Sequence, residues 1–248
     1  MTAPTRRILA TSAGFVDSGV QQQVRLGATV LRGLALTGKS RPRACLVYTA
    51  TGDDNMYYAL SYEAFNAAGC DVTQLRLFPQ PSADPEERLC GSDFVWVGGG
   101  SVANLLAVWA LHGVGDAMRA AWERGVILGG VSAGSVCWHV GGTTDSFGQQ
   151  LRPVTNGLGF LPYANGVHYD AEAQRRPLLH ELMLDGTLPE LAYATDNGIG
   201  ILYEGLEPTE VISDHTDGDP ERGAYVVRRT ADGIDEVRLA PGSNPRAH

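Results

Sequence analysis

The sequence predicts an α/β fold with a parallel sheet sandwiched between helices, and three observations carry that expectation. Short apolar runs alternate with segments of helical periodicity through the first two-thirds of the chain. Strand–helix–strand alternation of this kind implies parallel strands joined by right-handed crossovers. The chain has 248 residues, 44% hydrophobic and 19% charged, which is globular composition with room for a sizeable core.

Taken in order, the expected strands are residues 7–11, 44–49, 71–77, 94–97 and 126–130, each rich in aliphatic or aromatic side chains and bounded by glycine, proline or polar residues. Helices are expected at 24–36, 55–68, 102–111 and 114–124. In the second of these, Tyr58, Tyr62, Phe65 and Ala68 recur at three- and four-residue spacing. Residues 141–166, with six glycines, Pro153 and Pro162, read as a long functional loop. A helix over 176–184 follows, then strands near 198–203, 209–213, 224–229 and 234–239. Ala231-Asp232-Gly233 reads as the hairpin turn between the last two. No repeat, low-complexity tract or linker divides the chain, so one domain over 1–248 is expected.

The net charge of −9 argues against a nucleic-acid or anionic-membrane surface. No apolar run approaches the roughly 20 residues that span a bilayer. The first ten residues lack a signal-peptide pattern. Cys45, Cys70, Cys90 and Cys137 are widely spaced, with no metal-ligand pattern, as expected of reduced thiols in a cytoplasmic protein. Cys137, expected inside a helix, reads as a packing residue. No metal or organic cofactor is implied.

The chemistry centres on Gly130-Val131-Ser132-Ala133-Gly134, a G-x-S-x-G pattern at the end of an apolar strand. In a nucleophile elbow of this kind a strand turns sharply into a helix and presents the serine hydroxyl to a pocket. Serine needs a base within hydrogen-bond reach, itself oriented by a third group. Of the six histidines, His139 falls on the expected elbow helix, His180 in a later helix, and His248 ends the chain. His168 stands out, in Gly166-Val167-His168-Tyr169-Asp170, directly after the glycine-rich stretch. Gly98-Gly99-Gly100-Ser101 closes the fourth strand, where exposed amides can stabilise an oxyanion. No lysine-serine pair follows, which disfavours a nucleotide-binding loop. The amide of Ala133 would be the second donor.

The glycine turn, the Gly-Val-Ser-Ala-Gly-Ser elbow, Thr144-Asp145-Ser146 and His168-Tyr169-Asp170 occur in an order and spacing that resembles the peptidase E family of α-aspartyl dipeptidases, with cyanophycinase a more distant relative. The resemblance covers roughly residues 7–205. It implies a flavodoxin-like fold, shared with class I glutamine amidotransferases, with a β-rich C-terminal segment. It places the nucleophile on Ser132, the base on His168 and the acidic member on Asp145, with the oxyanion donors on Gly99 or Gly100 and Ala133. Asp196, before a strand, is the alternative acid, and Asp170 is expected to stabilise its local turn. An α/β-hydrolase would use His215 with Asp185 or Asp196. Asp145 and His168 follow Ser132 by only 13 and 36 residues, too close for that fold.

The implied activity is hydrolysis of small peptides, as a dipeptidase preferring amino-terminal aspartate. Arg175 and Arg176 are the candidates to bind that carboxylate, since arginine's planar fork suits it. Ser101 stands where many relatives have asparagine, at the pocket lip. The alternatives are an isopeptide hydrolase of the cyanophycinase kind and a non-catalytic binding module on the same fold. The expected partner is a peptide substrate, with the protein a monomer or homodimer.

Overall fold

The computed structural model describes residues 4–215, 219 and 221–245. Its first half runs β1 (Arg7–Thr11), β2 (Phe15–Asp17), β3 (Val24–Leu26), α1 (Ala28–Leu36), β4 (Arg43–Val47), α2 (Asn55–Ala67), β5 (Asp71–Gln74), α3 (Pro85–Cys90), β6 (Phe94–Val97), α4 (Val102–His112), α5 (Val114–Glu123) and β7 (Ile127–Val131). After a four-residue helix, α6 (Ala133–Val136), come β8 (His139–Thr144), β9 (Arg152–Val154), β10 (Leu161–Gly166), α7 (Arg175–Leu184), β11 (Leu191–Thr195), β12 (Ile199–Glu204), β13 (Glu207–Ser213), β14 (Ala224–Thr230) and β15 (Gly233–Leu239).

The strands form a seven-stranded sheet in the order β13-β12-β1-β7-β6-β4-β5. Its β1, β7, β6, β4 and β5 are mutually parallel, and β12 and β13 extend it antiparallel. Both faces are buried, because alternate residues of each strand feed different clusters. Leu46, Phe94, Trp96 and Ile127 pack with Val30, Leu34, Tyr58 and Phe65 of α1 and α2. Cys45, Val47, Val95, Val97 and Leu128 pack with Leu105, Trp109, Met118 and Trp122 of α4 and α5. Helices therefore cover both faces of a mostly parallel sheet, the α/β architecture expected.

A second sheet, β15-β14-β11-β10-β8-β9, has a parallel core of β8, β10 and β11. The larger apolar cluster continues into it through Trp138, Phe160, Leu161, Tyr193 and Val226. This corrects the reading of 141–166 as loop. The glycines there mark close approach of strands: a Cβ on Gly141 would lie 2.1 Å from the Val154 carbonyl oxygen, and one on Gly142 2.2 Å from that of Asn165.

The expected helix over 24–36 divides at Gly27. Leu26 pairs with Phe15 in a hairpin, and the buried Asp214 carboxylate accepts the Thr29 amide at 2.7 Å, supplying the cap that Gly27 lacks. His139 opens β8 and is fully buried, because the elbow helix stops at Val136. Among the described residues no helix is long and apolar enough to cross a membrane.

Candidate active site

The carboxyl ends of β1, β7 and β6 lie side by side, with Thr11 opposite Val131 and Val97 opposite Gly130. That edge is where a parallel sheet places ligands. Ser132 follows β7 in a strained conformation, φ 56° and ψ −114°. The glycines two residues either side make the turn possible. A Cβ on Gly130 would lie 2.2 Å from the Gly134 carbonyl oxygen, and one on Gly134 2.2 Å from that of Val97. The Ser132 amide donates to the Thr11 carbonyl at 3.0 Å. Ser132 occupies the N-cap of α6, yet its hydroxyl caps no amide, which leaves Oγ free for other chemistry.

The glycine turn lies directly against this serine. A Cβ on Gly99 would be 3.2 Å from Ser132 Cβ, so the Gly99 backbone borders this serine. The amides of Gly99 and Gly100 meet no backbone acceptor among the described residues. Ala133 begins α6, so its amide has no intrahelical acceptor. Ser101, expected at the pocket lip, uses its hydroxyl as the N-cap of α4 and accepts the Asn104 amide at 3.2 Å. The Thr144–Ser146 turn docks there too, with Ser146 Oγ accepting the Ala103 amide at 3.3 Å. Asp145 between them is exposed, and its carboxylate makes no hydrogen bond or ion pair among the described residues.

His168 also takes a left-handed conformation, φ 52°. Its amide donates to Ser12 Oγ at 2.9 Å, and the buried Ser12 hydroxyl pairs with Thr195 Oγ1 at 2.7 Å. Consecutive residues at the end of β1 thus hold the two key side chains' backbones, Thr11 that of Ser132 and Ser12 that of His168. No hydrogen bond joins Ser132 Oγ to His168 among the described residues; in enzymes such contacts tighten once substrate is bound.

The imidazole partner is neither acid expected from the sequence. His168 Nδ1 lies 2.5 Å from Asn197 Oδ1. An amide oxygen there places the proton on Nδ1 and leaves the Nε2 lone pair free to accept one. Asp145, exposed in its turn, makes no hydrogen bond to the ring among the described residues. Asp196 turns inward, where its Oδ2 accepts the Gly223 amide at 2.9 Å and the Tyr225 hydroxyl at 3.0 Å. Burial raises its pKa, and its Oδ1 has no partner among the described residues. Asp170 does brace its surroundings, accepting the Asn197 amide at 2.8 Å. Asn197 and Ser12 carry no sequence signal of this role: Asn197-Gly198 reads as a turn, and Ser12 as the polar end of a strand.

The arginine pair is engaged elsewhere. Arg175 is buried, donating to the Thr143 carbonyl at 2.8 Å and pairing with Glu172 at 2.9 Å. Arg176 pairs with Glu236 at 3.2 Å and lies over the rings of Tyr169 and Tyr225. His180 contacts Tyr169 and Glu236. His215 Nε2 lies 2.8 Å from the Asn197 carbonyl oxygen. His248 lies outside the described residues. Among those described, no group of three or more histidines, cysteines or carboxylates is placed to hold a metal.

A Bacillus subtilis (strain 168) protein, the uncharacterized peptidase YgaJ, is 38% identical over 167 residues, 66% of this chain and 70% of that protein. The fold resembles a peptidase from an acI-B1 Actinobacterium, with a TM-score of 0.70 and 14% identity over 98% of each chain. It also resembles a Listeria monocytogenes EGD-e protein assigned to peptidase E, with a TM-score of 0.57 and 15% identity over 95% of this chain and all of that one. The model of peptidase family S51 matches residues 11–211, a span that opens at the Thr11 post and takes in Ser132, His168 and Asn197. The chain therefore belongs to peptidase family S51.

Proposed function

We propose that this peptidase is of the serine type and cleaves short peptides through an acyl-enzyme on Ser132. The observation that carries the reading is the pair of adjacent posts on β1, which hold a strained serine and a left-handed histidine at one sheet edge. In this mechanism His168 Nε2 takes the Ser132 proton as Oγ attacks the peptide carbonyl. The amides of Gly99 or Gly100 and Ala133 stabilise the tetrahedral oxyanion. His168 then protonates the leaving amine, and water, activated by the same imidazole, releases the acid. Asn197 orients the ring, in the place the sequence reading gave to Asp145.

The proposed substrates are small peptides, with amino-terminal aspartate the first residue to test. Arg175 and Arg176 already have partners in Glu172 and Glu236, so a free guanidinium for that carboxylate is not supplied by this pair. We place the protein in the cytoplasm, where its unpaired cysteines stay reduced. The test is turnover of a dipeptide and tripeptide panel varied at the first residue, with Ser132→Ala beside the unsubstituted protein. Hydrolysis by the parent and a loss of about 10³-fold or more in Ser132→Ala is expected. Equal turnover by both proteins would remove Ser132 from the reaction. Preference for Asp-Xaa would establish the aspartyl specificity, and broad cleavage would exclude it.

A further inference from the structure

Asn197 holds the imidazole with a side chain that has two rotatable bonds and no charge, so its accuracy depends on the backbone beneath it. That backbone is gripped on both sides. Its amide donates to Asp170 Oδ1 at 2.8 Å, and its carbonyl oxygen lies 2.8 Å from His215 Nε2. The His215 ring packs against the next residue, Gly198, where a Cβ would lie 2.1 Å from Nε2. Arg222 braces the Asp170 grip, with Nε 3.3 Å from Asp170 Oδ2 and 3.5 Å from Asp219; its Nη1 lies 2.9 Å from His215 Nε2, whose N–H is committed to the Asn197 carbonyl. Asp170 is also two residues beyond His168, and Tyr169 between them donates its amide to the Thr195 carbonyl at 3.1 Å. Histidine, Asn197 and Asp170 therefore close a ring, from His168 Nδ1 to Asn197 Oδ1, from the Asn197 amide to Asp170, and back along the chain.

We infer that Asp170 and His215 are positioning residues, which clamp the peptide units on either side of Asn197 and so hold its amide oxygen on His168 Nδ1. The inference rests on the proposed role of Asn197. It also gives His215 a place in the site different from the base it would be in an α/β-hydrolase. Neither residue contacts substrate in this scheme. Arg222 steadies the Asp170 grip through its ion pair with that carboxylate.

The test joins kinetics with nuclear magnetic resonance of the full chain, isotopically labelled at histidine, in Asp170→Ala, Asp170→Asn and His215→Ala. Misplacement of a catalytic group by about 1 Å costs on the order of 100-fold. In both alanine variants kcat is expected to fall by about 10- to 100-fold. KM should stay within about twofold, because positioning of the base is felt at the transition state. The protected His168 Nδ1–H resonance should disappear in the same variants. Asp170→Asn retains an oxygen for the Asn197 amide, and should recover the resonance and most of the rate. A resonance and a kcat unchanged in Asp170→Ala and His215→Ala, with thermal melting showing both folded, would overturn the clamp. The resonance does not depend on turnover. If Ser132→Ala or Asn197→Ala retains full activity, the catalytic reading fails, while loss or persistence of the resonance still decides the clamp.

Discussion

Asn197 orients an imidazole as a carboxylate would, but contributes no full negative charge when that imidazole becomes cationic. The proton on Nδ1 is fixed in either case, and a wrong tautomer is the costlier fault in catalysis of this type. Asn197→Ala should therefore lower kcat/KM by about 10²- to 10³-fold, while Asn197→Asp, which keeps an acceptor at the same reach, should stay within about tenfold of the parent. Asp145→Asn should leave the rate unchanged, since its carboxylate points into solvent from the 144–146 turn. Steady-state kinetics on one cleaved dipeptide measures all three, and a large loss in Asp145→Asn would return that residue to the site. Ser132 and His168 were legible in the sequence because each stands at a turn with a chemical reason to be there. Asn197 was not, because an asparagine before glycine is what any turn shows, and its partner lies 29 residues away along the chain. The acids on offer, Asp145 and Asp196, were the residues a triad rule searches for.

The elbow separates two uses of glycine that look alike in sequence. At Gly134 a methyl group would lie 2.2 Å from the Val97 carbonyl oxygen, against strand backbone that cannot yield. Gly134→Ala should therefore destabilise the fold by more than about 2 kcal/mol, within the range of overpacking and backbone strain. At Gly99 the nearest atom would be Ser132 Cβ at 3.2 Å, a crowding that a small shift relieves. Gly99→Ala should fold with nearly unchanged stability yet lose about 10²-fold or more in kcat, because the methyl group intrudes beside the proposed oxyanion donors. Urea titration with kinetics separates the two; equal stability loss in both would contradict the distinction. The same reasoning explains which elements the sequence made visible. Strands β1, β4, β6 and β7 are apolar on both faces and stood out. Strand β8 carries Gly141 and Gly142 for close backbone approach, and β10 holds Pro162 and ends at Gly166, so both resembled a loop. The short β11, Leu191-Ala192-Tyr193-Ala194-Thr195, is buried at four of five positions, but two of its five residues are alanine and give little strand signal.

Across the whole molecule, the two sheets meet around an ionisable group that the apolar cluster keeps neutral. His139 is fully buried, its Nδ1 donates to the Ser135 carbonyl at 2.9 Å, and its ring packs edge-on to the buried Tyr203. Its Nε2 has no partner among the described residues, so a second proton there would be a charge without a counter-ion. Burial pulls its pKa down from 6.5 to about 4, with the Ser135 contact opposing only in part. Between those two values the unfolded chain binds the proton and the folded chain does not, so stability falls as the pH drops from about 6.5 towards 4. The full effect is on the order of 3 kcal/mol. At the alkaline side burial raises the Cys45 thiol from 9.0 to about 11, so stability should fall again as pH rises above 9. Denaturant midpoints of the unsubstituted protein and His139→Phe, measured from pH 4 to 7, test the acid limb. The phenylalanine variant starts from lower stability, having lost the ring N–H that donates to the Ser135 carbonyl, but its midpoint should change less with pH across this window. Parallel pH dependence in the two proteins would show that acid sensitivity arises elsewhere, with Asp93 a candidate only at lower pH, since Arg43 holds its carboxyl below the usual range.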